Sequence, residues 1–366
     1  MILALFFQKC DMEAFINGIG IISSQNIPNT DLFPKEIIND SLGILKLITP
    51  DYKDYIDLMA RRRMGRIIKA GVTAAKMCLN DAGLSQPDAI ITGTGLGCIE
   101  DTEKFLASIL QNNERLLNPV HFMQSTYNTL SSQIAIVLNC NNYNNTFVHR
   151  SFSFESAIQD ALMLIAEKET QTALVGSIDE ITQNHYLINR RLNKWKTESL
   201  YSLDLFNKNS PGTVPGEGAI YFLLSDVPAT TTYSILAGVK MFYKPQSPTE
   251  TENKILQFLK ECDTDIHDID MIITGINGDN RFDGIYTHLL EGVFLGKPHA
   301  GFKHLCGEYF TATSFAVWLA SVILKNQEAP SVCVINHSPT APLRNILIWN
   351  HNKNINHSVL LIKKYQ

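Results

Sequence analysis

The sequence predicts an α/β fold made of two similar halves. Short apolar, β-rich runs alternate with stretches of helical period, the order of elements restarts after Pro228, and no low-complexity linker separates the two parts. Such alternation is typical of sheets covered by helices, and its repetition indicates an internal duplication. We expect one compact unit with an N-terminal extension at 1–13, a first half at 14–228 and a second half at 229–366.

The first half begins with a strand that carries two glycines, where another backbone can approach closely. A helix is predicted from Met64 to Ala82, because Gly83 is a suitable C-cap. The other helices predicted in this half are 101–111, 131–138 and 154–167. The predicted strands are 14–23, 88–93, 146–149, 173–177 and 219–224.

The second half repeats this order of elements with different residues. The predicted strands are 233–239, 271–275, 331–336 and 356–362. The predicted helices are 252–261 and 310–324. Together the two halves account for nearly the whole chain from residue 14 onward.

Composition excludes several classes of function. The net charge of -5 argues against nucleic acid as the main ligand, and no stretch approaches the ~20 apolar residues of a membrane span. The seven cysteines form no CxxC pair and no metal-type spacing, so we expect reduced thiols, a cytoplasmic protein and no metal or cofactor. The basic run Arg61–Lys69 is interpreted as the solvated face of a helix, with an acidic partner as the alternative.

A turn-rich loop leads directly into a core strand at Leu205–Asp226. Its prolines and glycines exclude a helix, and the run after Gly218 has the composition of a strand buried on both faces. Glu217 lies between Gly216 and Gly218 at the start of that strand. The sequence leaves two alternatives for this carboxylate: pairing with a buried cation or backbone donors, or solvation in a turn.

Segments spread along the chain resemble β-ketoacyl synthases, in the order expected for that family. These segments are FINGIGIIS, GTGLGCIEDTEKFL, FMQSTYNTLSSQIAI, NNTFVHRSFSFESAIQDAL, ALVGSIDE, VPGEGAIYFLL, ITGINGDNRFD, FKHLCGEYF and NHSVLLIKK. Each match alone is weak, but together they cover the chain from about residue 14 to its end. The resemblance implies a thiolase-like fold, in which the two halves form a layered α-β-α-β-α core.

Condensation in that family needs a cysteine nucleophile at a helix start. The resemblance places Ser151 at that position, and the sequence has no cysteine between Cys140 and Cys262. Ser151 and Ser153 are the hydroxyls available there, as nucleophiles or as helix N-caps. We expect His149 to point to the same face as Ser151 if the segment is extended.

The family also needs two histidines, and the resemblance finds neither of them. Gly275 or Asn277 stands at the first position, and Glu308 stands at the second, five residues after Lys303. An ionised glutamate would repel a malonyl carboxylate or a developing enolate. We expect Glu308 to form an ion pair with Lys303 or with Arg150.

A glycine-rich loop normally supplies part of the oxyanion hole in this family. The corresponding stretch here, 350–358, keeps Asn356 and Ser358 but has no glycine. We therefore expect that it cannot take the positive-φ turns that aim backbone N–H groups at an oxyanion.

Three functions follow from this resemblance. The leading hypothesis is a catalytically silent subunit, like a chain length factor, that pairs with an active ketosynthase in polyketide, aryl-polyene-like or fatty-acid-type synthesis with an acyl carrier protein. Phe122, Met123 and Asn128 are then expected at the interface or tunnel wall, with core packing of Phe122 and Met123 as the alternative.

The second hypothesis is an acyltransferase or hydrolase that uses Ser151 or Ser153 with His149 or Glu308 as base. The third is a homodimer that binds acyl carrier protein through the basic run.

Overall fold

The computed structural model describes residues 12–28, 30–39, 41 and 43–365, so most of the predicted extension at 1–13 lies outside the described residues. Within the described part, strands and helices alternate along the chain as expected. The strands are β1 (Ala14–Ile22), β2 (Ala89–Gly93), β3 (Tyr143–Phe147), β4 (Thr172–Asp179), β5 (Gly218–Ser225), β6 (Ser234–Tyr243), β7 (Met271–Thr274), β8 (His299–Gly301), β9 (Asn345–Asn352) and β10 (Asn356–Lys364).

The helices agree with most of the predicted segments to within a few residues. They are α1 (Leu58–Arg63), α2 (Arg66–Ala82), α3 (Ile99–Gln111), α4 (Pro119–Ser125), α5 (Thr129–Leu138), α6 (Ser153–Ala166), α7 (Gln183–Arg191), α8 (Pro248–Glu261), α9 (Gly284–Glu291), α10 (Lys303–Cys306) and α11 (Thr313–Asn326). Gly83 ends α2 in the left-handed conformation, at φ 67°, as predicted. Among the described residues, no helix is long and apolar enough to cross a membrane.

The described strands form one ten-stranded sheet in the order β3-β2-β4-β5-β1-β6-β10-β9-β7-β8. Strands β1 and β6 pair at the centre of this order. Outward from the centre, the first half runs β1-β5-β4-β2-β3 and the second runs β6-β10-β9-β7-β8, with antiparallel pairs inside and parallel pairs outside in both. The two halves therefore share one topology. The exact boundary at 228/229 stays a prediction, in the loop between β5 and β6.

Helices cover both faces of each half-sheet, which gives the predicted five layers. The central core cluster contains the buried faces of α6 and α11 together with strand residues from both halves, such as Val175 and Ile348. A second cluster packs α2 and α5 against the outer face of the first half. A third packs α8 and α9 against the outer face of the second half. The helices α6 and α11 thus form the middle layer. The candidate site lies near the ends of this layer.

The predicted strand at 331–336 is wrong. This β-rich segment is a turn that makes one isolated bridge, between Val334 and Ala300. Gly301 N donates to the Cys333 carbonyl at 2.9 Å, and Ile335 N donates to the His299 carbonyl at 2.8 Å. The segment covers the outer edge of β8, and its Val332, Cys333 and Val334 side chains pack against the central core cluster. The strand of this region is β9, which the sequence analysis did not identify.

Glu217 is paired with a cation and with backbone donors, which confirms the first of the two alternatives. Its side chain is fully buried, and Arg66 donates to both oxygens, at 2.6 Å to Oε1 and 2.9 Å to Oε2. The backbone N–H groups of Leu47 and Ile181 complete the set, at 3.2 and 2.9 Å. A bidentate, charge-assisted pair of this kind ties distant segments together. Within the basic run, the Arg66 charge is therefore used inside the protein, whereas Arg62 and Arg63 are exposed, as expected for a solvated helix face.

Glu217→Ala should destabilise the fold by about 3 kcal/mol, because it leaves two buried backbone donors without their acceptor and the Arg66 guanidinium, 32% exposed, with only its contact to Glu180 at 3.3 Å. Urea denaturation measures the change. Lys104→Ala is the control, since its pair with Glu100 is half-exposed and should contribute less than about 1 kcal/mol. Equal losses in the two variants would contradict the structural role of Glu217.

Candidate active-site pocket

A cavity of about 360 Å³ lies where the two halves meet. Residues singled out by sequence line it, among them Ser151, Asn277, Glu308 and Asn356. Their segments are the turn before α6, the loop after β7, the turn after α10 and the start of β10. The structure thus brings together side chains that are up to 205 positions apart in the sequence.

Close backbone contact fixes the position of Glu308. Gly307 has φ 76°, and a Cβ on this residue would lie 2.6 Å from Gly216 Cα. A Cβ on Gly216 would in turn lie 1.9 Å from the Cys306 carbonyl oxygen. Glu308 N donates to the Val214 carbonyl at 2.7 Å, and Gly216 N donates to the Glu308 carbonyl at 3.1 Å. Gly216 and Gly307 therefore permit the approach that places Glu308 in the cavity.

Glu308 is held by two donors on one carboxylate oxygen. Lys303 Nζ and Asn277 Nδ2 each donate to Glu308 Oε2 at 2.6 Å. The Lys303 side chain is fully buried and that of Glu308 is 13% exposed. The expected ion pair with Lys303 is therefore present, Arg150 is not the partner, and Asn277 rather than Gly275 makes the contact. This cluster, here called the Lys303–Glu308–Asn277 triad, presents an acceptor where the resemblance implies imidazole donors.

The turn before α6 differs from the expected geometry at two residues. His149 was expected to face Ser151, but its Nδ1 lies 3.0 Å from Ser156 Oγ. The segment is not extended, because β3 ends at Phe147 and Arg150 turns the chain at φ 54°. Ser151 Oγ accepts from Asn356 Nδ2 at 2.9 Å instead. Among the described residues, no imidazole contacts the Ser151 hydroxyl.

Ser153 is unsuited to the nucleophile role. It is fully buried at the first position of α6, and its Oγ accepts from the His149 backbone N–H at 2.8 Å. The N-cap role is also wrong for Ser151, because the cap position of α6 is Phe152, without a side-chain hydrogen bond. The hydroxyl that faces the cavity is that of Ser151.

The stretch without glycine does form a positive-φ turn, which corrects the prediction for 350–358. Lys353 and Asn354 have φ 53° and 55°, and Ile355 N donates to the Asn352 carbonyl at 3.0 Å. Left-handed residues at both central positions suit the right-handed twist of paired strands, and the pairing of β9 with β10 holds the turn in place. This hairpin tip forms one wall of the cavity.

Glu155 lies in the core behind the cavity, and the sequence analysis did not single it out. Its side chain is fully buried, Oε1 accepts from Ser358 Oγ at 2.9 Å, and Oε2 has no partner in the described structure. Burial raises the pKa of Glu155 to about 7, although nearby hydroxyls and the charge of Lys303 act in the opposite direction. A carboxylate in the first turn of the predicted helix at 154–167, directly after Phe154, was the signal available in the sequence.

Phe122 and Met123 are 54% and 56% exposed, so the alternative that they belong to the core is wrong. They lie on α4, where Phe122 contacts Phe105 of α3 with ring centroids 5.3 Å apart. Asn128 lines a separate open groove between the start of α5 and the edge strand β3, together with hydroxyl and amide side chains such as Ser125 and Asn145.

In the described part of the chain, no three His, Cys, Asp or Glu side chains are arranged to hold a metal ion.

Residues 33–229, more than half of the chain, match the family described as Beta-ketoacyl synthase, N-terminal domain. A comparison with curated protein sequences gave no match. Similar solved structures include the ishigamide ketosynthase/chain length factor, with a TM-score of 0.77 and 18% identity over 97% of this chain and 99% of that chain.

Two further structures are similar over almost their whole length. The ketosynthase ApeO in complex with its chain length factor ApeC, from Xenorhabdus doucetiae, has a TM-score of 0.76 at 14% identity over 100% of both chains. The AntDE:AntF complex, a type II acyl carrier protein with its ketosynthase, has a TM-score of 0.76 at 13% identity over 96% and 99%. At such identities these likenesses show the fold, and they confirm the predicted thiolase-like architecture.

Glu155→Gln should become more stable relative to the wild type as the pH rises. The raised pKa means that the folded protein keeps a proton on Glu155 between about pH 4.5 and 7, so wild-type stability falls as the pH rises through this range. Glutamine does not titrate, so the variant does not lose stability in this pH range. At about 1.4 kcal/mol per pH unit, its free energy of unfolding should rise relative to that of the wild type by roughly 3 kcal/mol across the range. Urea denaturation at about pH 5 and pH 8 measures it, with exposed Glu167→Gln as the control. Parallel pH profiles for wild type and Glu155→Gln would show that Glu155 is not a neutral buried acid.

Proposed function

Because this chain belongs to the β-ketoacyl synthase family, we propose that it is a catalytically silent member, comparable to a chain length factor, that works as the partner of an active ketosynthase. The observation that carries this proposal is the Lys303–Glu308–Asn277 triad in the cavity. The pair would act in polyketide, aryl-polyene-like or fatty-acid-type synthesis, on acyl chains delivered by an acyl carrier protein in the cytoplasm.

The chemistry of the cavity supports a silent site. Decarboxylative condensation needs a thiolate to carry the acyl chain and donors to stabilise the enolate. Among the described residues, Ser151 has no general base in contact, and the Glu308 carboxylate, paired with Lys303, would repel both the malonyl carboxylate and the enolate. The same geometry disfavours the acyltransferase or hydrolase alternative, since His149 is turned toward Ser156.

The surface of the N-terminal half supports association with a partner protein through this half. Strand β3 ends the ten-stranded order on one side, and the opposite edge strand, β8, is covered by 333–335. An edge strand presents backbone donors and acceptors that another strand can pair with. Beside it, α3 and α4 expose Leu106, Leu110, Phe122 and Met123. Phe105 and Phe122 join the two helices, and exposed apolar side chains grouped in this way support a protein interface.

Family membership supports a ketosynthase as the partner. The titles of two structures with the same fold name a ketosynthase together with a chain length factor, and a third names a carrier protein in complex with its ketosynthase. A partner of the same fold would offer a matching edge strand and apolar helices. A homodimer that holds carrier protein is the weaker alternative, because Arg66 of the basic run is engaged by Glu217.

Native mass spectrometry with a cysteine-bearing ketosynthase from the same gene cluster should show a one-to-one heterodimer. The double variant Phe122→Asp/Met123→Asp should abolish it, because two carboxylates would be buried without partners. Leu295→Asp is the matched control, as Leu295 is 75% exposed on the second half.

A heterodimer that persists in the double variant would contradict the proposed interface. An acyl adduct on this chain in the absence of any partner, detected by intact mass and lost in Ser151→Ala, would favour the acyltransferase alternative instead.

A further inference from the structure

Three basic side chains at the mouth of the cavity have no ion-pair partner in the described structure. Arg150, Lys194 and Lys353 all line the cavity, and Arg150 and Lys353 are exposed. Lys194 Nζ donates to Asn189 Oδ1 at 2.5 Å. Burial, together with the charges of Lys353 and Arg150, lowers the pKa of Lys194. These cations therefore repel one another, and their positive potential is open to an anion.

The fourth cation at the mouth is neutralised within the protein. Arg281 Nη2 lies 2.6 Å from Asp279 Oδ2, and its Nε donates to Asp279 Oδ1 at 2.8 Å. The free positive charge is thus confined to the side formed by the turn before α6, the residues after α7 and the β9–β10 hairpin tip.

The floor of the cavity carries a carboxylate, that of Glu308, instead of cations. Both donors to Glu308 bind Oε2, and Oε1 has no hydrogen-bond partner among the described residues. Ser151 Oγ already accepts from Asn356. Farther along the wall, the Trp195 indole N–H and the Thr213 hydroxyl are buried without partners. Unsatisfied polar groups beside a cavity indicate that a polar ligand can complete them.

We propose that this cavity binds an extended zwitterionic small molecule of the ω-amino acid class. Its ammonium group donates to Glu308 Oε1, and its carboxylate lies against Arg150, Lys194 and Lys353. A cavity of about 360 Å³ is within the range of small-molecule sites, so a chain of several atoms fits between the two charged ends. The polarity is the reverse of that required by a malonyl donor, whose carboxylate would have to approach Glu308. The proposal stands independently of the heterodimer.

Isothermal titration calorimetry with ε-aminocaproate, γ-aminobutyrate and β-alanine tests the proposal. At least one of them should bind saturably, and at least about tenfold more tightly than caproate or hexylamine, which each lack one charged end. Lys194→Gln and Lys353→Asn should each weaken binding several-fold, and asparagine is chosen because it tolerates the left-handed conformation at 353. Exposed Lys208→Gln, outside the cavity, is the matched control.

Glu308→Gln should remove the preference for an ammonium group, so that caproate binds as well as ε-aminocaproate. If this variant does not fold, the two lysine variants still decide the matter. Absence of saturable binding by all three ω-amino acids would overturn the proposal. The proposal would also be overturned if caproate bound the wild type as tightly as the ω-amino acids do. The same holds if both lysine variants bound the ω-amino acids with the affinity of the wild type. None of these outcomes depends on whether a ketosynthase partner is present.

Discussion

Lys303 carries an ammonium group on a fully buried side chain, and the account of this protein depends on how that charge is balanced. Glu308 supplies the counter-charge at 2.6 Å, and Asn277 binds the same carboxylate oxygen. A buried cation without such a partner would be strongly destabilising. Lys303 and Asn277 therefore hold Glu308 at the position where the resemblance implies a catalytic imidazole.

The scaffold around this pair is maintained by contacts that do not depend on catalysis. Gly216 and Gly307 approach so closely that neither could carry a side chain without displacement, and Glu217 links β5 to α2 through Arg66. The hairpin tip at Lys353 and Asn354 keeps its shape through strand pairing. These contacts hold the cavity, the edge strand β3 and the exposed apolar helices in place. In the proposed function, these are the surfaces that a partner of the same fold uses.

Local pattern in the sequence predicted most of the fold and part of the site. Apolar periodicity and the cap at Gly83 located α2. The family resemblance led to an expected ion pair of Glu308 with Lys303 or Arg150, of which the pair with Lys303 is present. Other features depend on distant contacts. The partner of Glu217 lies 151 positions away, and the three free cations converge from 150, 194 and 353. Strand pairing overrode the expectation that Lys353 and Asn354 avoid positive φ, and a single turn at Arg150 directed His149 away from Ser151.

The most direct test of the silent-subunit account is an elongation assay with the purified chain, a carrier-bound acyl group and a malonyl donor. The account predicts no carbon–carbon bond formation by this chain alone, and an elongated product once a cysteine-bearing ketosynthase partner is added. Elongation by the chain alone, confirmed by mass spectrometry of the carrier-bound product, would contradict it.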